Sequence, residues 1–345
     1  MDFNDYLPKR ISRFEGYEFM RYRALLNVGK IDHNDGYTCK NVVVRGGGKI
    51  FGGGKLLCDK IIADEKEKLQ EYIRSLGDKA QEYECDNTIP GRARPFLIDI
   101  NNCQDVVLHG LEIGFGPAWN VHITYSDNVL TSGCTIRSMG VWNGDGWDPD
   151  SSTNCTIYDC VFDTHDDAVA IKSGKNPEGN SINRPCKEIR VFDCKGWNGV
   201  ALGSEMSGGL ENIYVWQCYF DNAVWGIRIK TTKKRGGYVK NVFIEDVVAS
   251  DLSIEANYAC NDDGESASEL PVLENFYFKD LTLTERRGRG KKRPVLQIIG
   301  LEERKCPIKN VTLKNVRVER DMLNGERQVL FDNVVNLTLE NIDFL

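Results

Sequence analysis

One short pattern of polar and apolar positions recurs along most of the chain. Each copy begins with Asn, Asp or Glu and continues as a few residues in which apolar side chains occupy alternate or successive positions. Such segments predict β strands, and the Gly, Asn and Asp between them predict turns. From the second copy onward, successive copies begin 23, 26, 34, 24, 29, 34, 35 and 26 residues apart. The copies begin at Asn41, Asp105, Asn128, Asn154, Glu188, Asn212, Asn241, Asn275, Asn310 and Asn336.

This recurring pattern, the phrase, returns every 23–35 residues from its second copy onward and so predicts a solenoid with loops of variable length. One coil of short strands cannot bury its own inner face, so successive coils must stack in parallel around a shared core. We therefore predict an all-β fold, a right-handed parallel β-helix of roughly ten coils that spans residues 1–345 as one domain. A β-sandwich is the alternative, but antiparallel sandwiches do not usually repeat one phrase in one phase.

The segment 63–84 interrupts the strand pattern. It is highly charged, and Leu69, Tyr72, Ile73 and Leu76 follow the spacing of one helix face. We predict an amphipathic helix inserted between early coils. The insertion would cover the barrel, form one wall of a cleft, or do both. By closing one end of the cleft, it would favour cleavage at chain ends.

Composition narrows the range of partners. The formal net charge of −7 over 345 residues gives no support for nucleic-acid binding. No apolar run reaches membrane-span length, and residues 1–29 lack the apolar centre of a signal peptide. The sequence as written therefore suggests a cytoplasmic protein, or a secreted or periplasmic one if further residues precede it. We expect a monomer.

The 12 cysteines include no C-x-x-C motif, which disfavours a zinc ribbon. Five of them recur in the repeat, and we predict that they fill the interior as an aligned ladder of free thiols rather than as disulfides. These five are Cys134, Cys155, Cys160, Cys194 and Cys218.

Three carboxyl groups carry the first candidate chemistry. Asp145 precedes Asp166 by 21 residues and Asp167 by 22, about one coil, so we expect these side chains to stack. Adjacent like charges raise one another's pKa, and a protonated carboxyl group is what protonation of a glycosidic oxygen requires. A solvated acidic turn and a calcium site are alternatives that the spacing alone leaves open.

Basic residues supply the second candidate. Arg228 and Lys230 are two residues apart, so they share one face of a strand. A guanidinium beside an ammonium suits a sugar carboxylate, and Lys172 adds a third positive charge. A basic pair on an ordinary strand surface is the alternative.

Together these motifs resemble glycoside hydrolase family 28, the polygalacturonase family, and especially its bacterial branch. Residues 143–148, Asn-Gly-Asp-Gly-Trp-Asp, are similar to the family's N-x-D-G-[apolar]-D. Asp166-Asp167 with residues 170–174 is similar to D-D…A-I-K-S-G, and residues 203–209 match a motif of bacterial members. Residues 228–230 match R-I-K.

The resemblance implies a right-handed β-helix that hydrolyses α-linked galacturonan with inversion, without a metal or other cofactor. Its partner would be a pectic polysaccharide or an oligogalacturonide. Asp166 would be the general acid, and Asp145 and Asp167 would together activate water. The basic pair of the R-I-K motif would bind the substrate carboxylate, and Asn143 would orient the neighbouring acids.

The chain departs from the family pattern at three positions near the acids. Trp197 stands where the family usually has a catalytically helpful His, and Asn198 replaces a Gly. The Trp197 ring would suit stacking on a sugar face. His165 replaces a Gly immediately before the acid pair, where it either supplies part of the missing function or is an inert loop residue.

A fourth departure concerns the start of the sequence. Family members usually carry early coils, a capping element and often a signal peptide before the Tyr-Leu-Pro phrase, which begins here at Tyr6. We expect a shortened member with another cap, or part of a longer chain. An uncapped end would expose a strand edge and invite association or misfolding.

The sequence therefore predicts a glycoside hydrolase acting on galacturonate-containing pectic glycans. Hydrolysis of a different glycan such as rhamnogalacturonan is one alternative. A non-catalytic carbohydrate-binding β-helix is a second, although a binding module has no evident need for three closely stacked acids. A calcium-dependent pectate lyase is the third.

Overall fold

The computed structural model describes residues 3–34, 36–221, 224–284, 294–301, 306–319 and 329–344. Their strands stack in parallel into a right-handed β-helix built from a 10-stranded and a 15-stranded sheet. The predicted all-β class and the predicted number of coils are confirmed, since the 10-stranded sheet receives one strand from each coil.

The 10-stranded sheet is made of short parallel strands of three or four residues. Its strands, in chain order, are Leu26–Gly29, Ile98–Asn101, Val121–Thr124, Trp147–Asp150, Val169–Ile171, Val200–Leu202, Ile227–Lys230, Leu252–Glu255, Leu296–Ile299 and Val329–Asp332.

The 15-stranded sheet contains the recurring phrase. In the first five coils the phrase strand is followed by a separate second strand, and in the last five the two merge into one strand of 11 or 12 residues. The separate phrase strands are Cys39–Arg45, Cys103–His109, Asp127–Ser132, Thr153–Tyr158 and Cys186–Phe192. The second strands are Lys49–Phe51, Glu112–Gly114, Thr135–Arg137, Val161–Asp163 and Lys195–Gly196. The merged strands are Leu210–Phe220, Tyr238–Ala249, Val272–Leu283, Ile308–Val318 and Val334–Phe344.

A ladder of side-chain hydrogen bonds explains why Asn recurs at the start of the phrase. All ten first residues have left-handed backbone, with φ between 55° and 65°. Asn and Asp tolerate this region better than other non-glycine residues. Along the ladder each Asn donates to the preceding rung, as Asn241 Nδ2 does to Asn212 Oδ1 at 3.0 Å. Glu188 has no donor, and Arg190 instead donates to Asn154 Oδ1 at 2.8 Å.

Aliphatic side chains and cysteines fill the space between the sheets. All 12 cysteines are free thiols, including the five for which free thiols were predicted. Cys134, Cys160, Cys194 and Cys218 are buried, and the first two are in contact, with the Cys134 N–H 3.4 Å from the sulfur of Cys160. Cys155 is also buried but pairs with Val129 in the phrase row, so its place in the predicted cysteine ladder was wrong.

The helical insertion differs from its prediction. It begins at residue 54 rather than 63 and is broken into several pieces. The pieces are the α-helices Gly54–Lys68, Gln70–Ser75 and Thr88–Gly91 and the 3-10 helix Gly77–Glu82. The first helix packs through an apolar face that includes Leu57 and Ile61, whereas Gln70–Ser75 buries none of its residues. The predicted bounds were wrong because the fully buried face lies earlier in the insertion, whereas the spacing at 69–76 marks a surface that is only partly buried.

The remaining elements flank the 10-stranded sheet. The 3-10 helix Phe3–Tyr6 precedes an antiparallel hairpin of Arg10–Phe14 and Tyr17–Arg21, and a short helix spans Glu178–Ile182. Arg13 of the hairpin ion-pairs with Asp150 of the sheet at 3.1 Å. Within the described part of the chain, no helix has the length and apolar character needed to cross a membrane.

Candidate active site

The three candidate acids lie immediately before two neighbouring strands of the 10-stranded sheet. The register pairs Trp147 with Val169, and the Gly146 N–H donates to the Asp167 carbonyl oxygen at 3.0 Å. This pairing sets Asp145 beside Asp167, with Asp166 one residue away. One carboxylate oxygen from each of the three side chains lies within 4.8 Å of the others. The structure thus brings together side chains that lie one coil apart in sequence.

A cavity of about 590 Å³ opens over these acids. Eight of the nine residues predicted for the site line it, and Trp197 does not. The eight are Asn143, Asp145, His165, Asp166, Asp167, Lys172, Arg228 and Lys230.

Two lysines hold the acid cluster. Lys230 Nζ lies 3.1 Å from Asp167 Oδ2. Lys172 Nζ lies 3.7 Å from Asp145 Oδ2 and 3.4 Å from Asp148 Oδ1. Lys172 is buried, and its ammonium lies 4.3 Å from the centre of the Trp119 ring. The negative charge of the cluster is therefore partly balanced from two sides.

Arg228 is held by aromatic rings. Its guanidinium lies 4.5 Å from the ring centre of Trp225 and 5.5 Å from that of Tyr258, and the Lys230 ammonium lies 5.5 Å from the same Tyr258 ring. Stacking of this kind fixes the plane of a guanidinium fork. Sequence reasoning did not identify Trp225 or Tyr258. The sequence offered a signal for Trp225, which lies three residues before Arg228, but none for Tyr258.

Burial and like charges keep protons on the acid cluster. Burial raises the pKa of Asp166, the charge of Asp167 raises it further, and Lys230 opposes both. Burial also raises the pKa of Asp145 well above its ordinary value, with Asp148 adding to the effect. The pKa of Asp148 rises to about 7 through burial, against the opposing charge of Lys172. The site can therefore present a protonated carboxyl group at mildly acidic pH.

Glu205 is a buried carboxylate in the cavity wall that received no role in the sequence analysis. Burial would raise its pKa, but Lys172 and Lys175 outweigh burial and lower the pKa to about 2. Glu205 therefore stays charged. It also helps to raise the pKa of Lys172, where the carboxylates of Glu205 and Asp148 outweigh the effect of burial. The signal was present, since Glu205 belongs to the matched motif at 203–209.

Asn143 and His165 lie on the two loops that carry the acids. Asn143 has left-handed backbone, with φ of 49°, and its Oδ1 accepts a hydrogen bond from Arg94 Nη2 at 2.7 Å. Because Oδ1 is the acceptor in this contact, the Asn143 side chain can donate hydrogen bonds to its surroundings only through Nδ2. The His165 backbone N–H donates to Ser138 Oγ at 3.3 Å, and the residue lines the cavity.

Trp197 and Asn198 are adjacent in sequence but differ in burial. Asn198 is buried, and its Nδ2 donates to the carbonyl oxygens of Thr164 at 3.1 Å and Asp166 at 2.9 Å. Trp197 precedes it in the bend between the strands Lys195–Gly196 and Val200–Leu202, is 54% exposed, and does not line the cavity. The structure therefore does not bring Trp197 into the cavity.

Acids and cations gathered in one cavity on a parallel β-helix are the features of a carbohydrate-cleaving β-helix protein. The chain belongs to Glycosyl hydrolases family 28, whose family model matches residues 35–329.

Relatives in several organisms agree with this assignment. The chain is 36% identical over 198 residues to a probable polygalacturonase of Vitis vinifera, an alignment covering 54% of this chain and 40% of that protein. It is 30% identical over 232 residues to an endo-polygalacturonase of Pectobacterium carotovorum, covering 66% of this chain and 53% of the relative. The chain thus spans about half the length of the curated relatives it matches.

A solved structure matches nearly the whole chain. It is the crystal structure of a hyperthermoactive exopolygalacturonase from Thermotoga maritima, with 28% sequence identity and a TM-score of 0.78. The superposition covers 98% of this chain and 76% of the other.

Proposed function

We propose that this protein is a glycoside hydrolase that releases galacturonate from the ends of pectic chains by inverting acid/base hydrolysis. The observation that carries the proposal is the meeting of Asp145, Asp166 and Asp167, within 4.8 Å of one another, with Arg228 and Lys230 in one cavity. Membership of a family with polygalacturonase members supports the same substrate class.

Asp166 acts as the general acid in this mechanism. It donates its proton to the glycosidic oxygen as the bond to the departing sugar breaks. Burial and the neighbouring charge of Asp167 raise its pKa, which keeps the proton available. Among the described residues, Asp166 has no ion-pair partner, whereas Asp167 is paired with Lys230. A negative charge is thus better compensated on Asp167 than on Asp166.

Asp145 and Asp167 hold the attacking water. A water molecule making hydrogen bonds of about 2.8 Å can bridge two oxygens separated by less than 4.8 Å. The water gives its proton to this pair as it attacks the anomeric carbon from the face opposite the departing sugar.

The pKa of Asp145 is raised along with that of Asp166, so the carboxyl groups titrate together rather than independently. Lys172 stabilises the charged form of Asp145 from 3.7 Å. We propose that substrate binding leaves the proton on Asp166, where the glycosidic oxygen can receive it. Asp145 and Asp167, each with its own lysine, then carry the negative charge.

Arg228 and Lys230 recognise the uronate. The planar guanidinium, fixed against Trp225 and Tyr258, suits bidentate contact with a carboxylate, and the Lys230 ammonium adds a point charge. This fork would bind the galacturonate whose linkage is cleaved and would discriminate against a neutral sugar at that position.

Elements outside the coils favour attack at a chain end. Glu84 lies within the helical insertion, between Gly77–Glu82 and Thr88–Gly91, and Glu15 lies in the turn of the N-terminal hairpin; both line the cavity. These additions form part of the cavity wall. They therefore leave less room for a polysaccharide chain to pass through the site than an open groove would. The matched exopolygalacturonase structure, which aligns with 98% of this chain, supports the same mode of action.

The test is product analysis with the wild type, Asp166→Asn and a surface control, Asp59→Asn. Asp59 lies on the exposed face of the helix Gly54–Lys68 and pairs with Lys55. On polygalacturonate we expect short products from the start, a slow fall in viscosity, and a loss of activity of about 10²–10⁴-fold in Asp166→Asn only. Long oligosaccharides from the start would instead establish internal cleavage.

Further arms of the assay separate the alternatives. Turnover of rhamnogalacturonan but not polygalacturonate would assign a different glycan. An ultraviolet-absorbing product that requires calcium would identify a lyase. Sugar binding without turnover by folded wild type would identify a binding module. Under our proposal, treatment with a chelator leaves the rate unchanged, because Lys172 and Lys230 already lie beside the carboxylates that a cation would need.

A further inference from the structure

Two buried asparagines lie on either side of the acid cluster along the solenoid axis. Asn120 is on the coil before Asp145, and Asn198 is on the coil after Asp166. Both are at most 3% exposed. Neither lines the cavity, so neither is placed to contact a substrate.

Asn120 holds the loop of the first acid. Its Nδ2 donates to the Asp145 carbonyl oxygen at 2.8 Å, and its backbone N–H donates to the same oxygen at 3.0 Å. Its Oδ1 accepts a hydrogen bond from the Gly116 N–H at 3.2 Å. One side chain thus connects the backbone of Asp145 to a turn on the preceding coil.

Asn198 holds the loop of the second acid. Its Nδ2 donates to both Thr164 and Asp166, and its Oδ1 accepts from the Val224 N–H at 3.2 Å. Val224 precedes Trp225, whose ring supports the Arg228 guanidinium. The same amide therefore connects the backbone of the proposed acid to the segment that carries the uronate fork.

An uncharged amide suits these two places. Buried carbonyl oxygens need donors, and a loop next to an acid cluster receives fewer of them from strand pairing than a strand does. A Lys or Arg donor would add a positive charge beside the acids and lower their pKa values. Asn supplies donors and an acceptor with no net charge. It can therefore fix the backbone while leaving the raised pKa of Asp166 in place.

We propose that Asn120 and Asn198 are positioning residues that fix the two acid loops from opposite ends. This inference rests on the proposed function, because it concerns how the acids are held for hydrolysis. Asn198 occupies a position where the family resemblance leads us to expect Gly. The departure adds a side chain with three hydrogen bonds to a loop that lacks the usual His.

The experiment compares Asn120→Ala and Asn198→Ala with a matched control, Asn176→Ala. Asn176 is also buried, and its Nδ2 also donates to two carbonyl oxygens, those of Lys234 at 2.6 Å and Arg235 at 2.9 Å. It does not line the cavity. All three variants lose a buried amide with two or more hydrogen bonds, so similar losses of Tm are expected.

The kinetic readouts separate positioning from stability. We expect kcat to fall about 10–100-fold in Asn120→Ala and Asn198→Ala and less than twofold in Asn176→Ala, because misplacement by about 1 Å can cost on the order of 10²-fold. In Asn198→Ala the alkaline limb of the pH profile should move to lower pH, because a loosened loop exposes Asp166 to water. Unchanged kcat and an unchanged profile, with a Tm loss like that of the control, would overturn the proposal.

Crystal structures of the same variants test, independently of turnover, whether the two asparagines fix the positions of the acid loops. The proposal predicts displacement of the Asp145 loop in Asn120→Ala and of the Asp166 loop in Asn198→Ala, with neither loop moved in Asn176→Ala. Acid loops that keep their wild-type positions in both variants would refute it. If wild type turns over none of the glycans, the proposed function fails, while these structures still test whether the asparagines fix the loops.

Discussion

Lys230 Nζ lies 3.1 Å from Asp167 Oδ2, so the lysine expected to bind the substrate carboxylate also contacts the acid cluster. Both side chains are largely buried, which strengthens the attraction between them. Under the proposed function, one ammonium group would therefore link substrate recognition to the acid chemistry. A uronate that enters the cavity meets a cation already oriented by the proposed base.

We expect Lys230→Met to lower kcat as well as raise KM. The variant loses a cation for the uronate and leaves Asp167 without its ion-pair partner, and removing one member of a buried charge pair typically costs 2–5 kcal/mol. The expected fall in kcat/KM on trigalacturonate is therefore about 10²-fold or more. Lys240→Met is the control, since Lys240 pairs with Glu274 at 3.2 Å on the outer surface. A rise in KM with unchanged kcat would show that the Asp167 contact has no part in the chemistry.

Arg228→Lys tests the geometry of the fork at constant charge. Lysine cannot make a bidentate contact or present a plane to Trp225 and Tyr258, so we expect the loss to appear mainly in KM. The measurement is kcat/KM for oligogalacturonides with free carboxylates and for their methyl esters. The preference for the free acid should decline by about tenfold or more, one bidentate charge-assisted contact being worth at least ~1.4 kcal/mol. An unchanged preference would remove Arg228 from uronate recognition.

Asp166→Asn should stabilise the protein in a pH-dependent way while abolishing turnover. Burial first, and then the charge of Asp167, raise the folded-state pKa of Asp166 above its unfolded value. A group shifted in this direction stabilises the folded protein at low pH, and that contribution is lost as pH rises through the folded pKa. Asn remains neutral throughout. We therefore expect its Tm to match wild type below pH 4 and to exceed it increasingly at higher pH, as followed by calorimetry.

A constant Tm difference across that pH range would contradict this explanation, because it would show that Asp166 gains no charge within it. Asp59→Asn again provides the comparison, as Asp59 is exposed on a helix surface. The same titration limits activity from the alkaline side, so the loss of stability in wild type and the loss of kcat should occur in the same pH range.

Much of the fold could be predicted because one local rule repeats along the chain. Asn at the start of most copies satisfies the left-handed turn and the ladder at once, as the contact between Asn241 and Asn212 shows. The stacking of Asp145 on the next acid loop follows from the same repeat, since the separation of about one coil is visible in the sequence.

The parts that sequence reasoning missed depend on contacts between elements far apart in the chain. The bounds of the insertion are set by burial of Leu57 and Ile61, and a spacing argument at 69–76 could not show which face would pack. Trp197 was assigned by its place in a motif, but the motif could not show that Asn198 rather than Trp197 would be buried against the acid loop. Tyr258 lies on the coil after the motif at 228–230, and its ring contacts Arg228 from there.

Lys172→Met should destabilise the protein more at neutral than at acidic pH. Lys172 is buried, and it ion-pairs with Asp145 and Asp148. Removing one partner of a buried pair typically costs 3–5 kcal/mol, because the remaining charge has no compensation. At low pH both acids are protonated, so the free-energy penalty should shrink. Urea unfolding at pH 7 and pH 4 measures this, with the exposed Lys55 as the site of a control Met substitution. Glu205 also acts on Lys172 and stays charged at both pH values, so equal losses would assign the effect to packing or to Glu205.

The last prediction concerns the asparagine ladder. Asn241 donates to Asn212 and accepts from Asn275, both at 3.0 Å, and its φ is 57°. Ala at this position loses both hydrogen bonds and also incurs about 1–2 kcal/mol of left-handed strain. Gly loses the hydrogen bonds but adopts the turn without that strain, at an entropic cost of about 0.5–1 kcal/mol. We therefore expect Asn241→Ala to reduce the free energy of unfolding more than Asn241→Gly, by up to about 1.5 kcal/mol. If Gly were the more damaging substitution, backbone strain would not explain why Asn recurs, and the hydrogen bonds of the ladder would have to account for it alone.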